Sequence, residues 1–239
     1  MSSANTISII IPVWNEANNL EELLPILLES KRQKVLEVLV VDGGSVDDSI
    51  DIAKRSNARV ISSPLKSRAV QLNLGAQHAN GDILYFIHAD TRPLMSFDED
   101  ILQEVSYGIE AGCYRYKFDS TSRLLKINSW FTRFNGIFAG GGDQTLFISK
   151  SLINHLGGYN ERFTIMEDFE LVKRIRKITK FKVIQKSILV SARKYETNSW
   201  LSVQWANFLA IMAFRIGVHP ETIKTLYSNR LNKNLNQKK

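Results

Sequence analysis

Apolar positions follow two different rhythms along this chain. Ile7–Val13 (ISIIIPV), Val35–Val41 (VLEVLVV) and the opening of Ile83–Pro93 (ILYFIHADTRP) are short runs dominated by β-branched and aromatic residues. Such runs read as strands buried on both faces of a parallel sheet. Between them the period changes. Leu20, Leu23, Leu24, Leu27 and Leu28 recur at helical spacing after Asn15, a candidate N-cap. Pro25 lies inside that pattern and predicts a split or kink, because it lacks an N–H and crowds the preceding turn. Asp47 or Asp48 opens a second helix to about Ser56, and Ala58–Ile61 reads as a short third strand. Ser67 is placed to cap a third helix running to Ala79, with Val70, Leu72 and Leu74 supplying its apolar surface. Asn80-Gly81-Asp82 then turns the chain into the Ile83 strand. Strands and helices that alternate in this way argue for right-handed crossovers and a parallel sheet.

The second half is less regular. Ala111–Phe118 alternates like a strand, and Arg123–Phe134 reads as an aromatic-rich helix that packs on the core or contacts a ligand. Phe138–Gly142 is a glycine-dense loop before a strand at Gln144–Ser149. Glu167-Asp168 precede a helix to about Ile178, with Leu171, Val172 and Ile175 facing inward. Two short strands, Phe181–Ile184 and Ser187–Val190, and two helices, Trp200–Val218 and Pro220–Leu231, complete the reading. The Trp200 helix is apolar around much of its circumference, which predicts burial in the domain or a dimer contact ahead of a role at a membrane surface.

Composition narrows the class. With 239 residues, 44% hydrophobic and 23% charged, the chain is long enough for a sizeable α/β core. Its formal charge of +7 is unevenly spread: Leu171–Lys194 holds nine Lys or Arg and no acid, and five more follow Glu221 with no further acid. This suits anionic partners such as nucleoside diphosphates or lipid headgroups. Nucleic acid fits the charge alone, and no recognition motif accompanies it, so none is expected as a partner. Cys113 is the only cysteine, which leaves no intrachain disulfide and fits a cytoplasmic setting. The N-terminus has no basic segment of the signal-peptide kind. The most apolar window, Val203–Val218, is broken by Gln204, Asn207 and Arg215, well short of the roughly 20 apolar residues of a span.

Three carboxylates stand at the ends of elements: Asp42, Asp90 and Asp168. The first two follow strands of one parallel sheet, where open α/β folds bind ligands. Glycines beside Asp42 let a ligand approach the backbone, and Asp42 can accept from a base N–H. Asp90 is placed to hold Mg²⁺ or Mn²⁺, which take oxygen ligands from one or two carboxylates plus phosphates. Lys66 and Arg68 can neutralise a diphosphate. Taken singly, each is weak evidence, because an aspartate at the end of an element is more often a turn or helix cap.

Taken together, they belong to longer strings. IIIPVWNEANNLEELL, VLVVDGGSVDDS, SRAVQLNLGAQHANGDILYFIHADT and GGDQTLFISKSLINHLGGYNERFTIMEDFELVKRIRK resemble family 2 glycosyltransferases of the GT-A fold, over roughly residues 6 to 195. The chain is most similar to small soluble bacterial members with HADT and GGDQ motifs. The resemblance implies a Rossmann-like, mostly parallel central sheet flanked by helices. It divides the chain into a GT-A domain at 1–198, with a donor half to about 95 and an acceptor half after it, and a C-terminal helical extension at 199–239.

It also implies roles. Pro12, Asn15 and Glu16 line the nucleotide pocket, Asp42 reads the base, often uracil, and Arg68, with Lys66 near it, binds the donor. His88-Ala89-Asp90 occupies the place of the DxD metal motif, with His88 where the first aspartate is usual. Asp168, paired with Glu167, matches the general base. Gly141, Gly142 and Asp143 shape the donor-sugar and acceptor pocket. The implied activity is an inverting transfer of a sugar from a nucleotide-diphosphate donor, UDP-sugar by preference, to the hydroxyl of an unidentified acceptor, with Mn²⁺ or Mg²⁺ as cofactor. A cytoplasmic enzyme is expected, with contact to the inner face of the membrane and homodimerisation as further expectations. Two other readings stand beside it: a sugar-phosphate nucleotidyltransferase, which predicts a glycine-rich loop that PVWNEANNL lacks, and a catalytically inert nucleotide-binding module.

Overall fold

The structure, a computed structural model, describes residues 5–29, 34–136, 139–141 and 144–236, with side chains described as far as residue 231. The first half builds β1 (Ile7–Val13), α1 (Ala17–Glu29), β2 (Val35–Asp42), α2 (Ser49–Arg55), β3 (Arg59–Ser62), α3 (Arg68–His78) and β4 (Ile83–Phe86). The second half builds β5 (Thr91–Arg92), α4 (Phe97–Ser106), β6 (Ala111–Phe118), α5 (Arg123–Phe131), β7 (Leu146–Ser149), α6 (Lys150–Leu156), α7 (Glu167–Ile178), β8 (Phe181–Val190), α8 (Arg193–Thr197), α9 (Trp200–Arg215) and α10 (Pro220–Asn236).

The strands among the described residues form one sheet, ordered β3-β2-β1-β4-β7-β6-β8-β5. β1 lies between β2 and β4 and is parallel to both, so the three strands end on the same edge. β7 runs antiparallel to β4 and β6, which joins the second half of the chain to the first.

The two-residue period of β1 explains why helices cover both faces. Ile7, Ile9, Ile11 and Val13 pack with Leu20, Leu23, Leu24 and Leu27 of α1. Ile10 points the other way, into a core with Ala69, Leu72 and Ala76 of α3 and Leu171, Val172 and Ile175 of α7. The sheet and α3 approach closely enough that a Cβ at Gly75 would overlap the Ile10 side chain. A third cluster joins Ala210, Ile211 and Ala213 of α9 and Ile223 of α10 to Met166, with Phe163, Ile165 and Phe169 packed against it. The C-terminal helices therefore brace the segment that leads into α7.

Several expectations are corrected. Helix α1 continues through Pro25. That proline is exposed, so the carbonyl it leaves unpaired can face water. Phe181–Val190 is one strand, with a register shift opposite Tyr114/Arg115 where two strands are expected. α5 stops at Phe131, and its aromatics do not pack inward: Trp130, Phe131 and Phe134 are 46, 59 and 50% exposed. Asn15 does not cap α1; its side chain bonds across to the next loop. Phe97–Ser106 and Lys150–Leu156 are helices without a counterpart in the sequence reading.

Candidate functional site

The loops that follow β1 and β2 are stitched together at the carboxyl edge of the sheet. Asn15 takes a left-handed backbone (φ 52°), uncommon outside glycine but tolerated by asparagine. Its amide donates to Ser45 Oγ at 2.9 Å, and its Oδ1 accepts from the Val46 amide at 2.8 Å. The next amides, of Glu16 and Ala17, donate to Ser49 Oγ (2.9 Å) and Asp47 Oδ2 (3.1 Å). Burial works against ionisation of Asp47. Hydrogen bonds from the Ser49 hydroxyl and the Ala17 and Ser49 amides outweigh it and hold the carboxyl below its ordinary range.

Asp42 closes β2 and is 3% exposed. It accepts from the amides of Gly44 (2.9 Å) and Ser45 (3.1 Å), which fixes the DGGS turn. A carboxylate has about four acceptor positions, so capacity for a ligand N–H remains. Gln71, on α3, supplies a fastening that the sequence reading missed. Its Nε2 donates to the carbonyls of Val13 (2.8 Å) and Val41 (2.7 Å), the ends of β1 and β2. Nothing in the sequence around a mid-helix glutamine signals this.

Past β4 the chain turns through His88-Ala89-Asp90, with the Thr91 amide donating to the His88 carbonyl at 3.1 Å. Ala89 is buried, and its carbonyl accepts from Arg92 Nη1 at 2.9 Å. The Asp90 carbonyl accepts from the Ser191 amide at 3.2 Å, which brings the end of β8 alongside. Arg193, at the start of α8, follows. Its Nη2 lies 3.2 Å from Glu16 Oε1 and 3.7 Å from Asp90 Oδ2. Carboxylates from the first and fourth strand ends thus share one guanidinium, and the Glu16 hydrogen bond raises the pKa of Arg193 despite burial. Arg193 was also missed; only its place in a basic run could have drawn attention to it.

The third carboxylate sits at α7. Met166 precedes it in a left-handed conformation (φ 68°), costing about 1–2 kcal/mol for a non-glycine residue. That geometry turns Glu167 and Asp168 inward at the helix N-terminus, where they are 4 and 7% exposed. Arg68, the first residue of α3, places Nη1 3.2 Å from Glu167 Oε1. Tyr159 is buried with its hydroxyl beside Asp168. Burial first, and then the Asp168 and Glu167 carboxylates, push its pKa well above the ordinary phenol value.

The predicted residues therefore fall into two groups, linked through Ser45, Arg193 and Tyr159, which the sequence reading did not single out. One runs Asp42–Ser45–Asn15–Glu16–Arg193–Asp90, and the other is Arg68, Glu167, Asp168 and Tyr159. Helix α3 joins them, because Arg68 and Gln71 lie one turn apart. Pro12 pairs opposite Val41 just before the strand ends, and Lys66 lies over the exposed Trp14 ring at the mouth of the same edge. Gly141 packs against the Phe169 ring, leaving no room for a Cβ. Gly142 and Asp143 lie outside the described residues. Among the described residues no three His, Cys, Asp or Glu side chains converge on a single point. A divalent cation at Asp90 would draw further oxygen ligands from a bound diphosphate, an arrangement usual for Mg²⁺ and suited to a half-buried carboxylate.

A sheet with these crossovers, its carboxylates gathered at the ends of β1, β2 and β4 and a carboxylate pair on a facing helix, has the architecture of GT-A glycosyltransferases. A mannosyltransferase from Pyrobaculum calidifontis, solved with GDP-Man and Mn²⁺, superposes with a TM-score of 0.67 at 20% identity, covering 97% of this chain and 70% of that one. Glucosyl-3-phosphoglycerate synthase from Mycobacterium tuberculosis, solved with Mn²⁺, UDP and glucosyl-3-phosphoglycerate, gives 0.63 at 18% identity over 90 and 81%. An uncharacterized glycosyltransferase of M. tuberculosis is 27% identical over 185 residues, 73% of this chain and 70% of its own. The glycosyl transferase family 2 model matches residues 8–164, and the chain belongs to that family. It is a glycosyltransferase.

Proposed function

We propose that this enzyme moves a sugar from a UDP-sugar to an acceptor hydroxyl with inversion at the anomeric carbon. The observation that carries the reading is the buried Glu167–Asp168 pair at the N-terminus of α7, tied by Arg68 to the helix that braces the ends of β1 and β2.

Asp42 and the amides of its turn form the base-binding end, with Asn15 and Glu16 along the same wall. Lys66 and Arg68 face the diphosphate with positive charge. Asp90, with His88 beside it, would hold Mn²⁺ or Mg²⁺, which when bound offsets charge on the departing nucleoside diphosphate. Asp168 takes the proton from the acceptor hydroxyl as that oxygen attacks from the face opposite the leaving group. Tyr159, kept protonated by its surroundings, sets its buried phenol beside Asp168. Glu167, neutralised by Arg68, positions the pair, which leaves Asp168 as the base.

The test has two stages. A thermal-shift screen of nucleotide sugars with and without Mn²⁺ should single out UDP-sugars, since a ligand that binds the native state raises its melting temperature. Asp168→Asn should then retain donor binding and lose transfer by about 10²–10⁴-fold. Full activity in that variant would remove Asp168 from the base role, and binding without turnover in the wild type would favour an inert module.

A further inference from the structure

The face of the molecule built by α5 and α9 is used by none of the chemistry above, and it is chemically distinctive. Leu124, Ile127, Phe131 and Phe134 recur at helical spacing through α5 and its C-terminal turn, and each is at least 44% exposed. Trp130 joins them, with ring centroids 5.1 Å from Phe131 and 5.0 Å from Phe134. A second stripe lies on α9: Leu201, Trp205 and Phe208 are 72, 49 and 46% exposed, and the last two rings stack at 5.5 Å.

One side chain links the two helices. Tyr195 of α8 accepts at its hydroxyl from Asn128 Nδ2 on α5 (3.4 Å) and from Gln204 Nε2 on α9 (3.2 Å). Beside α5 lies a cleft of about 440 Å³ lined by Arg115, Lys117, Lys126 and Arg133, with no carboxylate in its wall. The buried Nε of Arg115 has no hydrogen-bond acceptor among the described residues. Neither 120–136 nor 197–220 contains an Asp or Glu.

We propose that this face docks on an anionic lipid surface. The α5 and α9 apolar stripes would enter the headgroup boundary, with lipid phosphates against the Arg115–Lys126 cleft. An interfacial helix has this composition: Trp, Phe and Leu on one side and basic side chains flanking them. Arg133 shows how the two fit together, its guanidinium lying 4.8 Å over the Trp130 ring while its charge stays at the rim. A second copy of the chain is a poorer occupant, because a two-fold contact would set this basic cleft against itself. No helix among the described residues is long and apolar enough to cross a membrane, so the contact is one of surface docking.

The full chain is incubated with vesicles of phosphatidylcholine alone and of phosphatidylcholine mixed with phosphatidylglycerol, then sedimented. Binding is expected to the mixed vesicles only and to weaken with salt. Lys117→Glu with Lys126→Glu should weaken it about twentyfold or more, each basic residue near such a surface being worth about fivefold. Phe131→Ser with Trp205→Ser should weaken it as well. Lys54→Glu with Arg55→Glu, the same charge change on exposed residues of α2, should leave it within about twofold of the wild type. The proposal is overturned by equal binding to both vesicles, by none to either, or by equal loss in the α2 variant. It is also overturned by a concentration-dependent dimer that the aromatic substitutions dissolve while vesicles recruit nothing. Sugar transfer in solution is a separate readout, so either proposal can fail alone.

Discussion

Arg68 Nη1 stands 3.2 Å from Glu167 Oε1, a pair that joins the N-termini of two helices 99 residues apart in sequence. Glu167 is almost wholly buried while half of the Arg68 side chain is exposed, so the pair is neither a surface bridge nor a fully desolvated one. Removing the arginine strands a buried carboxylate. Arg68→Ala should therefore cost about 1–2 kcal/mol, below the range for fully buried pairs. Urea denaturation of Arg68→Ala, Glu167→Gln and the double variant closes a cycle. The double variant should lose less than the sum of the singles, and strict additivity would mean that the pair is not coupled.

Gln71 makes a sharper demand on stability. Its one amide nitrogen serves the carbonyls that end β1 and β2, both in a buried setting. Gln71→Leu keeps much of the volume and leaves both acceptors without that donor. A loss of about 1–3 kcal/mol is expected, the cost of one buried unsatisfied group, because the Val13 carbonyl keeps the Gly43 amide at 2.8 Å. Because the same bonds hold the Asp42 turn, nucleotide binding measured by calorimetry should weaken as well. A variant as stable as the wild type would show that other donors satisfy these carbonyls.

These two residues also mark the boundary of what the sequence discloses. The strands β1, β2 and β4 were legible because residues buried on both faces leave an unbroken apolar run, and the helices between them because their period is local. The carboxylates Asp42 and Asp90 stood out as polar groups where such runs end, and Asp168 as one where a helix begins. What holds them in place did not. Gln71 and Arg193 act on partners far away in the chain, and no local pattern encodes a long-range hydrogen bond. The exposure of Trp130, Phe131 and Phe134 was hidden for a related reason: an aromatic stripe has the same period whether it meets a core or solvent. Pro25 does not split α1 as one alternative had it, because the rule against helix prolines says nothing of which face the proline occupies.

Cys113 gives a prediction in pH. Its thiol is buried in β6, and burial pushes its pKa up to about 12, with Arg176 opposing. In the unfolded chain the thiol titrates near 9.0. Above that pH the unfolded state loses a proton that the native state keeps, so stability is fully present below about pH 9 and falls as pH rises towards 12. The slope is about 1.4 kcal/mol per pH unit for one group. Tyr85, Tyr114 and Tyr159, all raised by burial, add to the fall from pH 10.0 upward. Cys113→Ala should flatten the urea-midpoint profile between pH 9 and 10 and leave the later decline. Parallel profiles for the two proteins would show that the thiol ionises equally in both states.

Arg193 sets the last expectation, which concerns the cation. Its guanidinium is 3.2 Å from Glu16 and 3.7 Å from Asp90, so in the ligand-free protein a positive charge already occupies the space beside the one carboxylate expected to hold a metal. A divalent ion arriving at Asp90 alone would meet that charge. An ion arriving with a diphosphate would not meet it in the same way, because the phosphates supply anionic partners for Arg193 and oxygen ligands for the ion together. Arg193→Gln should therefore bind Mn²⁺ without nucleotide about fivefold more tightly than the wild type, the effect of roughly 1 kcal/mol of repulsion removed at a partly exposed site. With UDP present the order should reverse, since the variant has lost a partner for the phosphates. Both affinities can be read by calorimetry in the same buffer. Unchanged Mn²⁺ affinity in the variant without nucleotide would place the cation away from Asp90, and an unchanged order with UDP would place the diphosphate away from Arg193.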